Sequence, residues 1–148
     1  MMELILIIVI LGIFATVAMT RTDSGLSTIR EQIAIDQITN DIDLAKSMAF
    51  GKHETISIVY STNNESYTIY SGVGNDRHPI SDFPNSDNGV ISLDNSTMRD
   101  VDLQSATFLN NSPELQFLPL GDPVSGGQIT LNTKTISIEP VTGKWTIN

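Results

Sequence analysis

The 148-residue chain has no cysteine, two histidines, and eight lysines and arginines against 17 aspartates and glutamates. Without cysteine there is no disulfide, no thiolate nucleophile, no thiolate-bound zinc and no iron–sulfur cluster. With His53 and His78 as the only imidazoles, most metal and acid–base constellations are out of reach. A formal net charge of −9 repels phosphate backbones, so general nucleic-acid binding is disfavoured. The length suits one ordinary domain. A scaffold, a binding module or a membrane-tethered part remains.

Charge is also missing locally. No charged residue occurs from Leu4 to Met19, and Glu3 alone interrupts the apolar start of the chain. About 20 apolar residues let a helix cross a bilayer core. A cleavable secretory signal would place a basic segment ahead of such a run, and none is present here, so a single-pass anchor is the better fit. Neither reading accounts for Glu3. A carboxylate at the edge of an apolar helix either stays hydrated among headgroups or pairs with a positive charge from a neighbouring subunit. A buried pair adds little net stability, but it fixes register because an unpaired partner is heavily penalised.

The helical period continues past the apolar run. Leu26, Ile29, Ile33, Ile38, Ile42, Ala45 and Ala49 recur at spacings that predict one apolar stripe. Arg30, Glu31, Asp41 and Lys46 are expected off that stripe. Gly51 is placed to end the helix as a left-handed cap. The spacing therefore predicts one helix over about residues 2–50, apolar all round in its first half and amphipathic in its second. Gly12 and the stretch Thr20–Gly25, with Ser24 and Gly25, are its expected points of flexibility.

After Gly51 the period changes to two. Thr55–Tyr60 and Ser66–Tyr70 predict a hairpin, and residues 71–88 are rich in turn-forming Gly, Pro and Asn. Short strands are predicted at Val90–Leu93, Ala106–Leu109, Leu115–Leu118, Gln128–Leu131, Thr135–Ile138 and Trp145–Ile147. The fold class is α+β, a long N-terminal helix packed on a small antiparallel β-rich head. Its parts are residues 1–20 as transmembrane or core helix half, 21–51 as amphipathic half and 52–148 as head. The head is too small to bury much core alone, and the amphipathic helix half offers it a face.

The stretch MELILIIVILGIFATVAM resembles the N-terminal segment of type IV pilins and type II secretion pseudopilins. Asp41–Ala49 with Thr55–Ile58, and later Phe117–Pro123, Gly126–Leu131 and Thr142–Lys144, resemble minor pilins of the GspH/FimT class. The resemblance implies a pilin fold and a structural subunit of a type IV pilus-like or pseudopilus filament. It implies that Glu3 neutralises the N-terminal amine of an adjacent subunit, and that Leu4, Ile7, Ile8, Leu11, Gly12, Phe14 and Ala15 pack in the filament core. Its implied partners are other pilin-like subunits, an inner-membrane assembly platform and a prepilin peptidase. The implied location is the inner membrane with a periplasmic head, then a surface or periplasmic filament. The family's basic leader and terminal glycine are not in the sequence, which suggests a start two residues inside the mature protein. The proline that often kinks the family's helix is replaced by Thr20. The alternative is a membrane-tethered periplasmic binding module that never polymerises.

Other candidates are weaker. Asp76, Asp82, Asp87 and Asp94 are calcium candidates, Asp82 and Asp87 the foremost, although their spacing fits no compact loop motif. His53 and His78 are expected at the surface. Tyr67, Phe117 and Trp145 are expected in the core of the head. Residues 53–148 hold 11 acidic and 4 basic residues, which argues against DNA binding by the head. No nucleophile–base pair or phosphate loop can be assembled, so neither an enzymatic activity nor a cofactor is expected.

Overall fold

A computed structural model describes residues 2–148, with the backbone alone for residues 18–24. One helix, α1, runs unbroken over Met2–Lys52, about 75 Å at 1.5 Å per residue. It passes through Gly12, Ser24 and Gly25 without interruption. The helix ends later than the glycine suggested. Gly51 is still helical, and His53 takes the left-handed conformation at φ 55°. Histidine is among the few non-glycine residues that adopt this conformation with some frequency, so the chain turns after Lys52.

Nine short antiparallel strands follow. In sheet A, β1 (Ile56–Ser61) lies between β2 (Ser66–Ser71) and β6 (Glu114–Phe117), while β3 (His78–Pro79) and β4 (Val90–Ser92) share the far edge of β2. In sheet B the order is β5 (Ser105–Thr107), β7 (Gly127–Thr130), β8 (Thr135–Ile138) and β9 (Trp145–Ile147). The hairpin register pairs Ile56 with Ser71 and Ser61 with Ser66. It is closed by a 3-10 turn at Thr62–Asn64 and by left-handed Glu65. Strand β3 lies in the stretch read from the sequence as turns. Two residues are too few to show alternation, and Pro79 discourages a strand reading.

The core forms where the second half of α1 lies on sheet A. Ile38, Ile42, Ala45 and Ala49 are buried in one cluster with Ile56, Ile58, Ile69, Leu115 and Phe117. The small alanines let the helix backbone approach the strands. Burial of each large aliphatic side chain contributes about 1.5–3 kcal/mol. The stripe expected from the spacing holds from Ile38 onward and fails before it. Leu26, Ile29 and Ile33 are exposed, whereas Ala34 and Ile35 are fully buried. The break falls at the five-residue gap between Ile33 and Ile38, where the helix advances about 140° beyond a full turn.

Two charges expected off the stripe are also inside. Glu31 and Asp41 are buried because they share the helix face of Ala34, Ile38 and Ile42. In sheet B, Gly127 has a packing reason: a Cβ there would collide with the Phe108 ring and the Thr107 carbonyl.

Candidate assembly surface

The first half of α1 has no head to pack on. Every large apolar side chain from Met2 to Val17 is between 44% and 86% exposed, on all sides of the rod. Around Gly12 an added Cβ would meet nothing within 4 Å. The Thr16 hydroxyl donates to the Ile13 carbonyl at 2.8 Å, which lets that polar group sit in apolar surroundings. Glu3 is exposed in the first helical turn, where a carboxylate faces the positive end of the helix dipole. Leu4, Ile7, Ile8, Leu11, Phe14 and Ala15 are all on this uncovered surface. Among the described residues no helix is long and apolar enough to cross a membrane. The described side chains of the run stop at Val17, and that of Ser24 lies outside the described residues.

Contacts along the second half join the rod to the head. The Glu31 carboxylate accepts the Thr133 N–H and hydroxyl, each at 2.7 Å, and the Lys134 N–H at 3.1 Å. Burial works to raise its pKa, but the Thr133 hydroxyl, the two backbone N–H groups and the Lys134 charge outweigh it, so Glu31 is held below the ordinary carboxylate value. Arg30 pairs with Asp100 at 2.7 Å. The Lys46 ammonium donates to the Thr142 carbonyl at 2.6 Å, and the Trp145 ring N–H donates to Asp43 at 3.1 Å. Those partners come from the last third of the chain, so the hairpins of sheet B hold the helix from its side.

Sequence reasoning missed Glu31 and Asp41 as structural residues. The signal was available in their spacing: Glu31 stands four residues before Ile35, and Asp41 stands three after Ile38. Tyr67 and Phe117 are fully buried, and Trp145 packs half-buried against the same cluster. His53 is exposed with its ring 6.3 Å from that of Phe50, and His78 is exposed in β3. The aspartates considered for calcium are not brought together: among the described residues no three metal-ligating side chains form a group. Asp87 instead closes a backbone turn, donating to the Val90 carbonyl at 2.8 Å and accepting from its N–H at 3.0 Å.

No protein-family model matches the chain, and no curated protein matches it by sequence. Solved structures do. The type IV minor pilin FimU of Pseudomonas aeruginosa PAO1, in space group P21, aligns with a TM-score of 0.51 at 16% identity, over 79% of this chain and 87% of that one. The same pilin in space group P65 aligns at 0.50 with 15% identity, over 79% and 91%. At that identity the likeness is one of fold. The chain has a minor-pilin fold, with a long N-terminal helix on an antiparallel head.

Proposed function

We propose that this chain is a structural subunit of a type IV pilus-like or pseudopilus filament, assembling through the first half of α1. One observation carries the reading: an apolar rod, exposed on every side from Met2 to Val17, extends beyond the half of α1 that packs into the core of the head. Such a surface is not stable in water, and lipid or other helices must cover it. Before assembly the cover is the inner membrane, with the head outside it. After assembly it is the helices of other pilin-like subunits. Transfer from lipid to a helix bundle is nearly neutral in hydrophobic terms, so packing and registration decide the structure.

Glu3 supplies the registration by pairing with the N-terminal amine of a neighbour. Leu4, Ile7, Ile8, Leu11, Gly12, Phe14 and Ala15 supply the packing, and Gly12, Ser24 and Gly25 let the rod bend as it enters the bundle. An inner-membrane assembly platform and a prepilin peptidase complete the expected set of partners. The role is mechanical, with no reaction and no cofactor.

The test compares wild type with Glu3→Ala, using an antibody against the head on sheared surface filaments and on the membrane fraction. Wild-type label on filaments, and Glu3→Ala label retained in the membrane fraction with filaments lost, is the expected result. Normal filaments from Glu3→Ala would overturn the role of Glu3. Wild-type label confined to membranes would favour a tethered binding module instead. Label along every filament, as opposed to label at tips, separates a major from a minor subunit.

A further inference from the structure

The half of α1 that lies on the head carries a carboxyl that assembly through the other half does not use. Asp41 is only 6% exposed, and its Oδ2 accepts the Tyr67 hydroxyl of β2 at 2.5 Å. Tyr60 of β1 lies beside them, its ring centroid 5.5 Å from that of Tyr67. The Tyr60 hydroxyl is buried and has no hydrogen-bond partner. From α1 itself Gln37 faces the Tyr67 hydroxyl. No cation pairs with Asp41, since the ion pairs among the described residues are Arg30–Asp100 and Arg77–Glu114. A lone carboxyl is therefore enclosed by two phenols, an amide and apolar side chains at the seam between helix and sheet.

An ionised carboxylate without a counter-charge is costly in such a place, and one phenol hydrogen bond offsets only part of that cost. We propose that Asp41 is a proton-gated pin of the helix–head joint: neutral, it lets the helix half seat tightly on β1 and β2, and ionised, it loosens that seam. Burial pushes its pKa up to about 6 from the ordinary 3.8, while the Tyr67 hydrogen bond pulls the other way. The folded-state value lies above the unfolded one. The stabilisation is therefore fully present below about pH 4 and is lost as pH rises through about 6. The two tyrosines stay protonated throughout, because burial and then the Asp41 charge push both phenols up.

The experiment uses the full chain in detergent micelles, with thermal unfolding followed from pH 4 to pH 8 for wild type, Asp41→Asn and Tyr67→Phe. Glu65, whose carboxyl is also raised, chiefly by burial, and the net charge act on all three alike, so the difference between curves isolates Asp41. The wild-type midpoint should fall with rising pH relative to Asp41→Asn, with an inflection near pH 6. Tyr67→Phe, lacking the bond that favours the ionised form, should move that inflection to higher pH. Should Asp41→Asn fail to fold, carboxyl NMR titration of wild type and Tyr67→Phe reads the same shift directly. Parallel curves, a carboxyl titrating near 3.8, or an inflection that Tyr67→Phe leaves in place would each overturn the proposal.

Discussion

The two halves of α1 are made of similar apolar residues and meet opposite surroundings. Ile8 and Leu11 are about three-fifths exposed, while Ile38 and Ile42 are completely covered. The difference lies in the company each half keeps. The second half brings its own partner, the strands that follow it in the chain. The first half has none among the described residues, and in the proposed role lipid or other chains supply its cover. One continuous helix thus joins a covered half to an uncovered one, and each change in it should register on one side and not the other.

The largest effect is expected from Ile42→Ala. A cavity against sheet A should lower the unfolding free energy of the full chain in detergent by about 2–5 kcal/mol in chemical denaturation. Leu11→Ala removes the same atoms from the first half. It should leave that free energy within about 0.5 kcal/mol of wild type and appear only as a lower yield of sheared filaments. If Leu11→Ala destabilised the head as much as Ile42→Ala, the division between the two halves would be wrong. Next comes Glu31→Ala, which leaves the Thr133 and Lys134 N–H groups without their acceptor. The expected loss is about 1–3 kcal/mol, with faster amide exchange at 133 and 134. The smallest effect belongs to Arg30→Ala, whose partner Asp100 is well exposed. A partly solvated pair of this kind is worth less than about 1 kcal/mol, and its contribution should vanish in high salt.

The same contrast explains what could be read in advance. The apolar run and Glu3 stand out in sequence because nothing competes with them: the seventeen consecutive uncharged residues from Leu4 to Thr20 allow one local structure. The strands of the first hairpin are legible from alternation, Ile56 and Ile58 facing the helix. Leu26, Ile29 and Ile33 keep helical spacing among themselves and so read as part of the stripe, and only the gap before Ile38 reveals the rotation. Glu31 and Asp41 are expected off the stripe, yet both are buried. Their burial depends on acceptors and donors at Thr133 and Tyr67, which no local pattern ties to them. The end of α1 at Lys52, with the left-handed turn at His53, differs from the expected Gly51 cap for a related reason: glycine permits the left-handed turn, but a turn is placed by what the next strand must reach.

Glu31 and Thr133 are 102 residues apart, and so are Asp43 and Trp145. In synthesis the helix is therefore made first and its fasteners last. Contacts this distant in sequence close slowly, since the intervening chain must be ordered before they form. Strands β1 and β2 reach the face from Ile38 to Ala49 early in that interval, and the side contacts at Glu31 and Asp43 wait for its end. A nascent chain thus presents a helix seated on its first hairpin but unfastened along its side until its final hairpins arrive. Removing those hairpins would spare every residue of α1 and leave its second half seated on sheet A without the lateral clasp of Thr133, Lys134, Thr142 and Trp145.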